Sequence, residues 1–158
     1  ANLIREMPGE ASPVVARLGL VAALRQTVTS ELASAFEGVT WQVEPEAERR
    51  ALALPPLVAE VLYAAAREAV RNAARYGRGH DGARPLTLRL TVAWRLGLEV
   101  IVEDDGVGVE RVGAGAQGSG QGLALHSTMM AVIGGSLAFD SSPGRGTRVS
   151  LFLPQGAI

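Results

Sequence analysis

Residues 86–108, "LTLRLTVAWRLGLEVIVEDDGVG", contain two runs of alternating apolar and polar residues separated by a short connection. In each run the apolar residues stand at every second position, so each strand would present one apolar face. The short connection around residues 94–97 predicts that the two strands form an antiparallel hairpin. The apolar positions are Leu86, Leu88, Leu90 and Val92 in the first run, and Leu98, Val100 and Val102 in the second.

Asp104 ends the second strand, immediately before the turn "DGVG". Alternation places it on the face of Val100 and Val102, whereas Asp105 points the other way. A carboxylate at the buried end of a strand needs hydrogen-bond donors or loses several kcal/mol of solvation, and the amino group of a ligand would supply them. The alternative is that an Asp before Gly merely forms a turn.

The segment before the hairpin predicts a helix over residues 56–76, with a proline allowed in its first turn and Gly77 at its end. Glu68 and Asn72 are four residues apart and therefore share a face, with Arg75 one turn further on. An acid, an amide oxygen and a cation in a row suit a hydrated Mg²⁺ and its phosphates, because Mg²⁺ commonly takes only one or two protein oxygens. The alternative is the polar stripe of a surface helix.

Residues 106–122, after the hairpin, contain seven glycines and predict a mobile loop. A third helix is predicted from about Gln121 to Ile133. Backbone amides of the loop could then approach a phosphate at the positive end of that helix. The segment lacks the strand that precedes a dinucleotide-binding fingerprint. The glycines next to the helix are Gly118, Gly120 and Gly122.

The remaining elements extend outward from this centre. Four-residue periodicity predicts a helix over residues 14–36, and "VTWQVE" (39–44) predicts a short strand. The segment "PEAERRALALP" (45–55) is interpreted as a polar connection. Two strands, "SLAFD" (136–140) and "TRVSLFLP" (147–154), flank the turn "SSPGRG".

The composition excludes several kinds of chemistry. Of the 158 residues none is cysteine, and all 15 basic residues are arginine. A thiol nucleophile, a Schiff base and the lysine-dependent phosphate loop are therefore ruled out. A phosphate would have to be bound by backbone amides, arginine and a metal ion. The net charge of −1 does not favour nucleic-acid binding, and we expect a cytoplasmic domain that is not inserted in a membrane.

The order of these elements resembles the ATP-binding catalytic domain of sensor histidine kinases, in the superfamily shared with DNA gyrase, heat-shock chaperone and mismatch-repair ATPases. The resemblance covers roughly residues 55–154. It implies an α/β two-layer sandwich, with a mixed, largely antiparallel sheet of about five strands covered on one face by three helices. A flexible ATP lid would span about residues 109–119. Residues 1–13 would be a lead-in from a preceding helical domain, and residues 14–158 a single catalytic domain.

The resemblance also implies roles for individual residues toward ATP and Mg²⁺. Asn72 would be the Mg²⁺ ligand, and Glu68 the second catalytic residue, near the metal and its waters. Arg75 would face the phosphates and Tyr76 the sugar-phosphate region, while Asp104 would accept a hydrogen bond from the adenine amino group. The other residues implied to bind ATP are Gly106, Gly108, Gly118, Gly120, Gly122, Leu123 and Thr147.

The sequence departs from the family pattern at several points. Gln121 stands where a leucine is more often found, and the lid is short and has no phenylalanine. The phosphoacceptor histidine of the family belongs to a helical dimerisation domain that precedes this one. His80 is set among glycines in a predicted loop and is not expected to be that acceptor, and His126 is interpreted as structural.

The leading hypothesis is therefore that the domain binds Mg-ATP and presents its γ-phosphate to a histidine on a separate dimerisation and phosphoacceptor domain. The parent protein would act as a homodimer, with or without a membrane anchor, and would pass the phosphate to a response regulator. Alternatives are an anti-sigma-type serine kinase and a non-catalytic ATP-sensing module of the same fold. A gyrase-like ATPase half would need a second, transducing domain.

Overall fold

A computed structural model describes residues 13–108 and 117–158 of the chain. Within these ranges, five strands form one sheet in the order β1-β2-β3-β5-β4. Only β1 and β2 are parallel, and the other neighbouring pairs are antiparallel. This is the mixed, largely antiparallel sheet that the family resemblance implies. The strands are β1 (Gly38–Val43), β2 (Thr87–Trp94), β3 (Gly97–Asp104), β4 (Ser136–Ser141) and β5 (Thr147–Pro154).

The α-helices of the described residues pack on this sheet and on one another through a single apolar core. The inward-facing leucines and valines of β2, β3 and β5 are almost fully buried, as their alternation predicts. No described helix is both long enough and apolar enough to cross a bilayer. The helices are α1 (Pro13–Leu18), α2 (Leu20–Glu31), α3 (Pro45–Leu52), α4 (Pro56–Tyr76) and α5 (Gln117–Val132).

The helix predicted over residues 14–36 is wrong as a single element. Gly19 has φ +85°, a left-handed conformation that separates α1 from α2. A short 3₁₀ turn, Ala33–Ala35, follows α2, and Gly38 then begins β1 instead of only ending a helix.

The polar connection predicted over residues 45–55 is also wrong, because α3 occupies most of it. Pro45 stands in the first turn, where a missing N–H costs nothing. Glu46 forms ion pairs with Arg49 and Arg50, three and four residues on, which places acid near the N-terminus and base near the C-terminus of the helix. Ala47 and Ala51 bury the opposite face.

Two boundaries matter for the site. Helix α4 spans Pro56–Tyr76, the predicted bounds, whereas α5 begins at Gln117 rather than at about Gln121. Gly118 and Gly120 therefore lie inside the first turns of α5 and not in a loop before it. Of the predicted lid, residues 109–116 lie outside the described residues.

Candidate functional site

A pocket opens between α4 and the sheet, at the C-terminal end of β3 and the N-terminal end of β5. Six residues predicted to bind a nucleotide contribute to its wall, although they come from four separate elements and one turn. The other lining residues are mostly apolar, and they include Val102, Phe139 and Val149. The six predicted residues are Asn72, Tyr76, Asp104, Gly108, Leu123 and Thr147.

Asp104 and Asp105 have opposite environments. Asp104 lines the pocket, and its Oδ1 accepts a hydrogen bond from the Gly106 amide at 2.8 Å. Asp105 is exposed, and its carboxylate accepts bonds from the amide and the hydroxyl of Thr87, both at 2.7 Å. Strand alternation therefore assigns the two carboxylates to the correct sides of the chain, with Asp105 as the turn-forming residue.

The electrostatics of the two acids differ in the same way. Burial raises the pKa of Asp104 to about 6, the Gly106 hydrogen bond lowers this pKa, and the charge of Asp105 raises it. For Asp105, burial raises the pKa, but the hydrogen bonds from Thr87 and the charge of Arg84 more than compensate, so its pKa is lowered. The protein surroundings of Asp104 thus stabilise its ionised form poorly.

The turn after Asp104 is held by close backbone contacts. A Cβ placed on Gly106 would lie 2.4 Å from the Gly77 carbonyl oxygen, and one on Gly108, at φ +70°, would lie 2.1 Å from that of Ser142. The Val107 amide donates to the Gly77 carbonyl at 2.8 Å. The residue after α4 and the β4–β5 turn therefore pack against this turn from two sides. Side chains at Gly106 and Gly108 would clash with these neighbours and prevent the close packing.

Asn72 faces the pocket from α4 with an unsatisfied amide group. Among the residues that the structure describes, its Nδ2 is buried and has no hydrogen-bond partner. A buried amide donor without a partner costs about 1–3 kcal/mol, so a polar ligand at this position would recover that energy. The side-chain oxygen of the same amide is of the kind that Mg²⁺ accepts.

Glu68 and Arg75 lie beside the pocket rather than in its wall. A Cβ on Gly122 would lie 2.6 Å from Glu68 Oε2, so α4 and α5 meet closely at this carboxylate. Arg75 is exposed, with its guanidinium 5.7 Å from the centre of the Tyr76 ring. Gly106 packs against Gly77 and does not line the pocket. Gly118, Gly120 and Gly122 all belong to α5.

The two histidines also differ in position. His80 is exposed in the turn that follows α4. His126 is half-buried on α5, where burial lowers its pKa while the charge of Glu68 raises it. His126 thus neighbours the charged end of the site, a proximity that the sequence analysis missed because it depends on how α5 packs on α4.

Other features of the pocket were missed as well. Phe139 of β4 contributes to the wall, and Ser141 on the same strand contacts Thr147. Alternation in "SLAFD" could have placed Phe139 on the inner face, whereas the contact between Ser141 and Thr147 depends on strand register.

Comparison with known proteins shows which family the chain is similar to. The family described as "Histidine kinase-, DNA gyrase B-, and HSP90-like ATPase" matches residues 58–157. The sensor-type histidine kinase PrrB of Mycobacterium bovis and of Mycobacterium tuberculosis is 32% identical over 126 residues. That alignment covers 72% of this chain but only 28% of PrrB, so the chain spans little more than a quarter of these relatives.

Solved structures share the fold. The histidine kinase domain of the blue-light activated histidine kinase EL346 from Erythrobacter litoralis superposes with a TM-score of 0.65 and 20% identity, covering 87% of this chain and 66% of that one. A longer structure of the same kinase gives a TM-score of 0.67 at 20% identity over 91% of this chain and 45% of that chain. The chain belongs to the family of histidine kinase-, DNA gyrase B- and HSP90-like ATPases, and within it is homologous to the sensor histidine kinases.

Proposed function

We propose that the domain binds Mg-ATP in the pocket between α4 and the sheet, with the base at Asp104 and the phosphates toward Asn72 and the start of α5. The observation that carries the proposal is the meeting of Asp104, Asn72, Tyr76 and Thr147 in one pocket. Each has a polar group at a wall that is otherwise largely apolar, which is the usual composition of a small-molecule site.

The base end is suited to adenine. The Oδ1 atom of Asp104 is oriented by the Gly106 amide, and the carboxylate can still accept a hydrogen bond from an exocyclic amino group. Leu123, Val102 and Phe139 offer apolar surface to the ring. Because the pKa of Asp104 is raised chiefly by burial, a donor that binds the ionised form also offsets the cost of burying that charge.

The phosphate end is suited to a metal ion with few protein ligands. The side-chain oxygen of Asn72 would hold Mg²⁺, and Glu68, one helical turn earlier, would orient its waters. When bound, the ion would supply positive charge that offsets the charge of the phosphates. Arg75 and the first-turn amides of α5, which include those of Gly118 and Gly120, would neutralise the remaining charge, since the chain has no lysine.

The γ-phosphate would then pass to a histidine on a separate helical domain and onward to a response regulator. Phosphoryl transfer depends mainly on positioning and charge neutralisation, so this pocket can suffice without a base of its own. Neither histidine of this chain is placed to accept the phosphate, since His80 is exposed beyond the end of α4 and His126 is half-buried beside Glu68.

The outer face of α5 supports docking of such a helical partner. Leu125, Met129 and Val132 follow one another at helical spacing, with exposed fractions of 59%, 39% and 73%. This apolar stripe, on the helix that begins at the phosphate end, would bring the partner near the γ-phosphate. A partner of that kind is consistent with homology to sensor histidine kinases, of which this chain spans only a part.

The kinase class is tested by incubating the domain with the helical domain of its parent protein and γ-labelled Mg-ATP. We expect acid-labile, base-stable phosphate on that helical domain, and no transfer from Asn72→Ala. Acid-stable phosphoserine on a protein partner would instead establish an anti-sigma-type kinase. Saturable binding without any transfer would establish an ATP-sensing module.

The docking surface is tested with two equally exposed leucines. Leu125→Glu should abolish transfer to the helical domain while Mg-ATP still binds. Leu57→Glu is the matched control, because Leu57 is also 59% exposed but lies at the opposite end of α4 from Asn72. Equal losses of transfer in the two variants would contradict docking on α5.

A further inference from the structure

Three polar residues form a row across neighbouring strands at the end of the pocket. Asp104 of β3 pairs in register with Thr147 of β5, and Thr147 pairs in turn with Ser141 of β4. Directly paired residues project from the same face of a sheet, which here is the face that lines the pocket. The row therefore runs from the proposed base-binding carboxylate to a serine for which the proposed function has no role.

The hydroxyl protons of this row can be assigned by counting donors and acceptors. The hydroxyl of Ser141 donates to the Gly146 carbonyl oxygen at 3.0 Å. Ser141 Oγ also lies 2.8 Å from Thr147 Oγ1. A serine hydroxyl has a single proton, so when Ser141 donates to Gly146 the bond between the two hydroxyls uses the proton of Thr147. Thr147 then presents oxygen lone pairs to the pocket.

The acceptor of the Ser141 proton is itself fixed. Gly146 has φ +78° and is buried, and a Cβ on it would lie 2.0 Å from the backbone carbonyl oxygen of Asp104. The β4–β5 turn therefore packs directly against the backbone of β3 at a position that only glycine allows. The Gly146 carbonyl oxygen therefore stays in position and keeps the Ser141 proton directed away from Thr147.

From this row we infer that Ser141 is a positioning residue that makes the site select a 6-amino purine over a 6-oxo purine. The inference rests on the proposed binding of a nucleotide base at Asp104. With Thr147 held as an acceptor beside the Asp104 carboxylate, the wall offers two acceptors in register. An exocyclic amino group can donate to both, whereas a carbonyl oxygen would meet only lone pairs.

The test compares the affinities of Mg-ATP and Mg-inosine triphosphate, measured by calorimetric titration of the whole chain. The wild-type chain should prefer ATP by about a hundredfold, because an unpaired polar group in a site is strongly rejected. In Ser141→Ala the freed Thr147 hydroxyl can rotate and donate to the 6-oxo group. The preference should then fall about tenfold, mainly through tighter binding of the inosine nucleotide.

Three further variants separate positioning from a purely structural role. Ser141→Thr keeps the hydroxyl and should retain the wild-type preference. Ser136→Ala, on the same strand but exposed at its other end, should change nothing. In a Thr147→Val background, adding Ser141→Ala should leave the preference unaltered, because no hydroxyl remains to be oriented.

The outcomes distinguish the two proposals. Absence of saturable ATP binding by the wild-type chain would overturn the proposed function. Wild-type binding with an unchanged ATP preference in Ser141→Ala would overturn the role of Ser141 alone. Equal weakening of both nucleotides, in step with a lower thermal unfolding midpoint, would also overturn it, because a merely structural serine would give that result.

Discussion

The two ends of the pocket are built in different ways. At the proposed base end, Gly106, Gly108 and Gly146 bring backbone so close to backbone that a Cβ on any of them would clash. At the proposed phosphate end, the atoms nearest to a Cβ on Gly122 belong to the Glu68 side chain, and the buried Asn72 Nδ2 has no hydrogen-bond partner among the described residues. One end is therefore fixed by close backbone packing, and the other consists of side chains whose polar groups still need a ligand.

This difference indicates how a nucleotide would bind. If the base end is already ordered before the nucleotide binds, little conformational entropy is lost on binding. Such a rigid end can select a base by its shape and hydrogen-bond donors. A phosphate end with unsatisfied groups gains most of its order and hydrogen bonding when the ligand arrives. Equivalent changes made at the two ends should then have unequal effects.

The largest effect is expected from Gly108→Ala. The new Cβ would meet the Ser142 carbonyl oxygen at a left-handed φ of +70°, so the backbone must shift. The free energy of unfolding should fall by about 3 kcal/mol, and ATP binding should be lost with the turn. Urea denaturation measures the loss. Gly144→Ala is the control, since Gly144 has φ +79° but a Cβ added to it would lie within 4 Å of no atom of the described residues; it should cost only about 1 kcal/mol.

At the proposed phosphate end, Asn72→Ala should have the largest effect, and only on ligands that carry phosphates. We expect the dissociation constant of Mg-ATP to rise about thirtyfold while that of adenosine stays within about twofold. Calorimetric titration with the two ligands measures both values. A similar loss for adenosine would show that Asn72 holds the fold or the base instead.

Acidification should weaken base binding through Asp104. Its pKa is raised by burial to about 6, so below that pH the empty site holds a neutral carboxyl. If the base binds the carboxylate, adenosine affinity should fall about tenfold between pH 7 and pH 5. Asp104→Asn should remove this pH dependence, and a flat profile in the wild-type chain would contradict the assignment.

The raised pKa of Asp104 has the opposite effect on the stability of the domain without ligand, which should increase on acidification. The folded state binds this proton more tightly than the unfolded chain does, so the contribution to stability is complete below pH 4 and is lost as the pH rises through 6. Asp104→Asn should therefore stabilise the unliganded domain by about 2 kcal/mol at pH 7. Thermal unfolding of both proteins across this pH range measures the difference.

The smallest effect is expected from Gly122→Ala. The three atoms nearest to the added Cβ all belong to the Glu68 side chain, whose end can rotate away, and alanine favours the helix. The free energy of unfolding should change by less than about 1 kcal/mol. Combining the change with Glu68→Ala should reveal a net gain in stability. If Gly122→Ala lowered the free energy of unfolding as much as Gly108→Ala, the proposed difference in packing between the two ends would be wrong.

The sequence predicted the elements whose patterns are long and regular. Helix α4 has the predicted bounds because Pro56 and Gly77 flank an apolar periodicity, and the β2–β3 hairpin follows its alternation. Helix α3 was missed because eight residues rich in charge give little apolar signal, and its ion pairs act only once the helix exists. The break at Gly19 was missed because one glycine within a periodic segment does not reveal its φ.

The candidate site was likewise predictable in part: the positions of single side chains were, but the contacts between elements were not. Asp104 and Asn72 could be placed because strand and helix periodicity determine which face a side chain occupies. The bond between Ser141 and Thr147, and the proximity of His126 to Glu68, could not, because they depend on strand register and on the packing of α5 against α4. Long-range contacts of this kind have no local sequence signal.

The central claim is that Asp104, and not its neighbour, reads the base. The most direct test is calorimetric titration of Mg-ATP into Asp104→Asn and Asp105→Asn. We predict that Asp104→Asn raises the dissociation constant about a hundredfold without loss of stability, consistent with one charge-assisted hydrogen bond. Asp105→Asn should lose stability, since it disturbs the bonds from Thr87, but should bind ATP within about twofold of the wild-type affinity. Wild-type affinity in Asp104→Asn, or the larger loss in Asp105→Asn, would contradict the account.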